Sequence, residues 1–238
     1  MPTHSSAAHH MSQRDSDIKK AVLHGQAWQG TNLPLFVAFT NHLDLHSIKY
    51  SLEFGSLLGA VRQGAPTLWD DDFDIVVDDE DKNRLKALCV EYRGAGKGLP
   101  AKPKGAKYAR CSFTVAGGTG FSLEFNDSGF AFVRTYVAEE KKEKILFDIW
   151  FPSTPGWPRQ SSAGKFPLLR RQFGAYQLWT YNDPGLYLDE LYGKEWRTTF
   201  RVYSHKINDA KAFHKENAKQ YYKVKREEYD LLAIRWGA

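Results

Sequence analysis

Four aspartates fall within five positions, Asp70, Asp71, Asp72 and Asp74, and the apolar run Ile75-Val76-Val77 follows at once. Such a run reads as a buried strand or a strand end. Carboxylates crowded beside a buried strand repel one another, and a hard divalent cation between them is the usual relief. Residues i and i+2 of a strand point to one side, so Asp72 and Asp74 converge while Phe73 points into the core. Two convergent carboxylates can share one Mg2+, with Mn2+ as a substitute, and contribute to a second. Upstream by about one helix length, Gly55-Ser56 reads as a small-residue turn that offers backbone N–H groups and a hydroxyl to a phosphate. Arg62 follows on the same segment, as a phosphate contact or as a structural partner for the nearby acids. A third acid, Asp148, stands alone in the apolar stretch Ile145–Phe151, where an unpaired carboxylate is costly. It is a third metal ligand, an acceptor for the proton of an attacking hydroxyl, or one half of a buried ion pair. Asp70 and Asp71 read more simply as a helix cap or solvated turn, and Trp69 as core, with stacking on a base as the alternative.

These residues need a frame. Tyr50–Phe54 reads as a short strand, Ser56–Arg62 as a helix opened by Ser56 and ended by Gly64 and Pro66, and Phe73–Val77 as a second strand. Asp78–Tyr92 is expected to be a helix whose acidic first turn suits the helix dipole. Upstream, Asp17–Leu45 has helical periodicity, capped by Asp15, Ser16 or Asp17 and interrupted near Gly30–Pro34. The Gly-, Pro- and Lys-rich stretch Arg93–Lys107 reads as a loop. Four candidate strands follow, Tyr108–Val115, Ser122–Phe125, Phe130–Val137 and Ile145–Phe151, separated by GGTG, NDSG and EEKKEK turns. Pro152–Gly164 reads as irregular. Asp183–Tyr192 reads as a helix with Pro184 at its start and Gly193 past its end. Asn208 to about Arg235 reads as one long terminal helix carrying Lys211, Lys215, Lys219 and Lys223 on one face. The expected fold class is α/β (α+β): a nucleotidyltransferase-like mixed sheet with flanking helices and a C-terminal helical cap. Residues 1–15 are expected to be a mobile tail, 16–200 the catalytic domain, and 201–238 a helical extension packed on it.

Composition limits the function. The 238 residues, 42% hydrophobic and 14% aromatic, suit a globular enzyme and exclude a disordered or fibrous protein. A net charge of +5 suits an anionic substrate but is too mild to call for nucleic acid. Cys89 and Cys111 have no metal-site spacing and read as ordinary thiols of a reducing compartment. There is no apolar run of the roughly 18 residues a membrane span needs, and the start has no apolar signal region. The expected location is cytoplasmic or peripheral to a membrane.

The segment GSLLGAVRQG…LWDDDFDIVV resembles the signature of the LicD/fukutin family of phosphotransferases, close to G-[ST]-L-L-G-A-x-R-x-G…P-W-D-D-D-[IV]-D-[IV]. FDIWFP, with Asp148, resembles the family's D-I-F-P segment. Tyr187-Leu188, then Leu191-Tyr192-Gly193 and Trp196, resemble its Y-L…Y-G-x-x-W. The resemblance spans about residues 36–196. Leu68 replaces the usual Pro, Phe73 replaces a β-branched residue, and Gly94–Lys144 matches no part of the pattern. The resemblance implies transfer of a phospho-alcohol group, such as phosphocholine or ribitol phosphate, from a CDP-activated donor to a hydroxyl of a glycan or glycolipid. Alternatives are a nucleotidyltransferase acting on a small molecule or RNA end, and a catalytically inactive binding or scaffold protein of the same fold.

Overall fold

A computed structural model describes residues 12–88, 90–91, 109–114, 120–125, 131–137, 142–153, 167–204 and 222–236. Seven strands among them are β1 (Tyr50–Leu52), β2 (Asp74–Val77), β3 (Val90–Glu91), β4 (Ala109–Thr114), β5 (Gly120–Phe125), β6 (Ala131–Val137) and β7 (Lys142–Trp150). They form one mixed sheet in the order β1-β2-β7-β6-β5-β4-β3. Within it β2 and β7 run parallel, and every other neighbouring pair is antiparallel. The chain leaves β2 through helix α3 (Asp79–Ala87), starts again at the far edge with β3, and returns strand by strand until β7 lies beside β2.

Strand alternation sorts the side chains. Phe73, Ile75 and Val77 are buried, as are Phe147, Ile149 and Phe151. The intervening positions of β2 and β7, with Asp74 and Asp148, face the other side. Phe36, Phe39 and Leu43 of helix α1 (Gln13–Leu45) are also buried. Phe36 stacks on Phe73 at 4.7 Å between ring centroids and meets Phe147 edge-on at 5.0 Å. This burial explains why α1 continues through Pro34 where a break was expected. An interior proline costs about 3 kcal/mol, whereas burying these three side chains contributes about 1.5–3 kcal/mol each. The start of α1 is capped one turn earlier than expected, with the Asp15 N–H donating to Ser12 Oγ at 3.1 Å. Its end is closed by Ser47 at φ 54°, where the Ile48 and Ser47 N–H groups donate to the Leu43 and Asp44 carbonyls at 2.9 and 3.0 Å.

The chain divides into two compact units. The larger comprises the described residues within Gln29–Thr67 and Asp72–Arg197. It holds the sheet, helix α2 (Phe54–Gln63), helix α4 (Gly185–Tyr192) and a hairpin of β8 (Leu169–Phe173) and β9 (Tyr176–Thr180). The hairpin was not expected from sequence. Its two-residue loop begins with Gly174 at φ 64°, the left-handed backbone that such loops require. The smaller unit comprises the described residues within Met1–Trp28, Leu68–Asp71 and Thr198–Ala238. Ile18, Val22, Trp69, Phe200, Val224 and Tyr229 form part of its core. Trp69 is therefore a packing residue, and its indole N–H donates to the Arg201 carbonyl at 2.9 Å.

One expected helix is shorter, and another is interrupted by a strand. The one after Asp78 ends at Ala87, and Val90-Glu91 pairs with β4. The terminal segment is not purely helical: β10 (Thr199–Arg201) pairs with β11 (Lys223–Lys225), and helix α5 covers only Arg226–Trp236. Alternating Lys223-Val224-Lys225, with only Val224 buried, suits an edge strand. The tail up to residue 11, Cys89 and the Cys111 side chain, the loop within 93–107, the first three residues of GGTG, the NDSG turn, the first three residues of EEKKEK, most of 152–164 and the lysine face at 211–219 lie outside the described residues. Gly120 belongs to β5, and Lys142–Lys144, read from sequence as a turn, extend β7 in pairing with β6.

Two glycines give opposite expectations. A Cβ on Gly59 in α2 would sit 2.6 Å from the Ala65 carbonyl oxygen, while one on Gly30 in α1 would meet nothing within 4 Å. Gly59→Ala should destabilise the protein by about 1–3 kcal/mol, and Gly30→Ala should stabilise it by about 0.5–1 kcal/mol. Urea denaturation of both variants checks this, and loss of similar size at both positions would contradict the close approach at Gly59.

Candidate active site

β2 and β7 pair so that Asp74 lies opposite Asp148, Ile75 opposite Ile149 and Val76 opposite Trp150. Partners across a parallel pair point to the same side of the sheet, so Asp74, Asp148 and Trp150 share one face. Trp150 Nε1 donates to Asp74 Oδ1 at 2.8 Å, and its ring meets Phe54 edge-on at 5.3 Å. Asp74 is buried, while Asp72 and Asp148 are half-buried. Burial pushes the proton affinity of Asp74 well above the ordinary carboxylate range. The charges of Asp72, Asp148 and Glu53 push it further, against the pull of the Trp150 bond.

The backbone of Asp74 is tied to the first turn of α2. Its N–H donates to Ser56 Oγ at 3.1 Å, and its carbonyl accepts the Glu53 N–H at 3.0 Å. The helix opens at Phe54 with Glu53 as N-cap, so Ser56 lies inside the first turn and does not open the helix. The cause is the Leu57 N–H, which donates to the Glu53 carbonyl at 3.0 Å and closes the turn early. Gly55 and Ser56 therefore sit where helical N–H groups have no carbonyl one turn back to accept them. Ser56 is buried, with its oxygen accepting from Asp74 and one O–H proton left to donate.

Arg62 lies at the other end of α2, about 10 Å along the axis at 1.5 Å per residue. Its guanidinium donates to Gln63 Oε1 at 2.9 Å, Thr67 Oγ1 at 3.1 Å and the Trp196 carbonyl at 3.3 Å. Asp71 is not a solvated turn residue. Its Oδ2 accepts from Ser204 at 2.7 Å and lies 3.3 Å from His24 Nε2. Asp78 is the N-cap of α3, with Asp79, Glu80 and Asp81 in its first turn, as its acidic sequence implied.

Sequence reasoning missed Glu53. It is fully buried, and its carboxylate accepts the Tyr181 hydroxyl at 2.6 Å and the Tyr187 hydroxyl. The signal was present: Glu53 is an acid between Leu52 and Phe54, the same pattern that singled out Asp148. The Y-L and W segments also find their places. Tyr187 reaches Glu53, Trp196 Nε1 donates to Asp189 at 2.8 Å, and the Trp196 carbonyl receives Arg62.

The donor set suits a hard cation. Asp72, Asp74 and Asp148 supply only carboxylate oxygen, and Asp74 carries the unfavourable field that a cation relieves. Among the described residues, no group of three or more His, Cys, Asp or Glu side chains is already gathered in a ligating arrangement. Among them, too, no helix is long and apolar enough to cross a membrane.

A mixed sheet with acids facing one another on adjacent parallel strands, beside a helix start that ties one of them down, defines a nucleotidyltransferase-like domain. Residues 47–183 match the family described as LicD/FKTN/FKRP, nucleotidyltransferase domain. The match covers more than half of the chain, and the chain belongs to this family. By that membership it is a transferase of phosphate-containing groups. No curated protein matches the chain as a relative.

The raised affinity of Asp74 has a consequence for stability. A carboxyl whose folded-state value lies above its unfolded value stabilises the fold fully only below the unfolded value, about 3.9. That stability is lost as pH rises through the raised value. In chelator at neutral pH, Asp74→Asn should therefore melt above the wild type, by about 2–4 °C per kcal/mol relieved. The gap should close towards pH 4. A variant that melts below the wild type at pH 7 would show that the buried charge is already well compensated.

Proposed function

We propose that the protein is a Mg2+-dependent phosphotransferase. It moves a phospho-alcohol group from a CDP-activated alcohol to a hydroxyl of a glycan or glycolipid. The observation that supports this most is the register of Asp74 with Asp148 across the parallel pair β2–β7, with Asp72 close enough to perturb Asp74. Family membership supports the transfer of a phosphate-containing group, and the choice of donor rests on the family resemblance of the GSLLGAVRQG…LWDDDFDIVV segment.

Asp72 and Asp74 hold the cation in this reading. Asp148 either completes the set or takes the proton of the attacking hydroxyl. Mg2+, with Mn2+ as a substitute, neutralises charge on the transferring phosphate and leaving group. The Gly55 and Ser56 N–H groups, at the positive end of the α2 dipole, hold a donor phosphate. Trp150 orients the Asp74 carboxylate through its indole N–H. The small positive net charge favours approach of an anionic donor.

Incubation with CDP-choline, CDP-ribitol or CDP-glycerol and candidate acceptors should release CMP only when Mg2+ or Mn2+ is present. Asp72→Asn and Asp74→Asn should each lower turnover by at least about a hundredfold while a cooperative melt survives. Near-normal turnover in either variant would remove the metal role from that residue. Release of pyrophosphate in place of CMP would mean nucleotidyl transfer. Neither product with any donor would leave a protein that binds without catalysing.

Donor affinity should separate the two residues of the α2 turn. Gly55→Val blocks the approach of a phosphate to the backbone and should weaken binding more than Ser56→Ala. The serine change deletes one hydrogen bond, worth about 0.5–1.5 kcal/mol, and loosens the Asp74 N–H. Calorimetry with a CDP-alcohol measures both, and unchanged affinity in the two variants would put the phosphates elsewhere.

A further inference from the structure

Glu53 is an ionisable side chain with no exposed surface, lying outside the metal-holding acids. Its carboxylate accepts two phenol hydroxyls, from Tyr181 at the end of the β8–β9 hairpin and from Tyr187 in α4. The two rings meet edge-on at 5.8 Å. Its backbone faces the active site: the Glu53 N–H donates to the Asp74 carbonyl at 3.0 Å, and its own carbonyl closes the first turn of α2 through the Leu57 N–H. One residue therefore joins a buried polar anchor to the backbone of a site acid. The next residue supplies a second observation. Phe54 is held at φ 43°, a left-handed backbone that a bulky aromatic residue adopts only when its surroundings over-determine it.

We propose that Glu53, Tyr181 and Tyr187 form a positioning clamp that fixes the Asp74 backbone, and with it the first turn of α2, in the geometry the transfer reaction needs. This rests on the reading of Asp74 as a metal-holding acid given above. The clamp touches neither substrate nor cation and acts through the Glu53 N–H and the α2 turn. A buried carboxylate must keep its donors or seek others. Removing the phenol hydroxyls deprives the Glu53 carboxylate of these two donors, and the tie from its N–H to the Asp74 carbonyl is expected to loosen. Positional error of this kind near reacting groups is costly in rate even when the fold is intact.

Three readouts on Tyr181→Phe/Tyr187→Phe and on Glu53→Gln test the clamp, all taken well below the melting temperatures. The first is hydrogen exchange at the Glu53 and Asp74 amides. In the double variant it should speed up at least tenfold, while the Leu123 amide in β5 stays within twofold. The second is Mn2+ affinity by calorimetry, which should weaken at least fivefold in the double variant. The third is turnover, where kcat should fall at least tenfold with donor KM within threefold. Glu53→Gln can still pair with both phenols, because its side-chain amide accepts from one and donates to the other. It should stay within threefold of the wild type in every readout.

Unchanged exchange and unchanged Mn2+ affinity in a folded double variant would overturn the clamp. So would a Glu53→Gln variant as damaged as the double variant, because charge and not anchoring would then be at work. If the double variant does not melt cooperatively, Tyr181→Phe alone, which deletes the 2.6 Å bond, carries the same comparison. A wild type that binds no Mn2+ and releases no CMP would sink the functional reading. Exchange at Glu53 and Asp74 would still decide whether the clamp exists.

Discussion

The structure depends on one electrostatic constraint: a buried aspartate set directly across a parallel strand pair from another aspartate. Asp74 and Asp148 are neighbours because β2 and β7 are in register, and a shift of one residue would turn every side chain of one strand to the opposite face. That register is enforced from the other side of the sheet. Phe73, Ile75, Phe147 and Ile149 are buried there with Phe36 and Phe39 of α1. The hydrophobic face thus fixes where the repelling charges stand, and the same packing keeps α1 helical through Pro34. Apolar burial supplies the stability, and the polar face uses some of it to hold like charges together.

The polar face is organised by short-range ties around Asp74. Its N–H, its carbonyl and one carboxylate oxygen each have a named partner: Ser56, Glu53 and Trp150. Two of the three lie at the start of α2. The other end of α2 is tied by Arg62 to the carbonyl of Trp196, and Gly64 by a backbone bond to Gly174 of the hairpin loop at 2.8 Å. The helix that follows the glycine-serine pair is therefore anchored at both ends within the larger unit. Its conformation is set by contacts far along the chain more than by its own capping residues, since Glu53 makes no side-chain cap.

Candidate site residues stood out in the sequence where one residue type conflicted with its neighbours. Acids beside apolar runs exposed Asp72, Asp74 and Asp148, and alternation exposed four of the strands of the sheet. Glu53 carried the same conflict but was absorbed into a strand end, because one acid before a glycine-serine pair looks like the start of a loop. The position of Ser56 was misread for a related reason: small residues suggest a turn, and nothing local reveals that Glu53 closes the helix one residue pair earlier. The β8–β9 hairpin escaped because neither strand alternates cleanly: LRRQF runs three polar residues together, and Leu178 and Trp179 stand side by side in YQLWT. The pairings Arg62 with Trp196 and Glu53 with Tyr187 have no local signature at all. The grouping of residues 68–71 with both chain ends is likewise a long-range property.

The route of the chain between β2 and β7 limits how the domain can change. It starts at β3, which runs in the same direction as β2, and returns by four antiparallel steps. Each step reverses direction, so an even number of steps returns β7 parallel to β2. With β3 kept in place, a single strand added or lost between it and β7 would invert β7 and abolish the pairing that sets Asp148 against Asp74. Between β3 and β7, whole hairpins are therefore the units of insertion or removal. Descendants of such a fold can diversify that stretch in quanta of two strands, with parity conserved like a winding number.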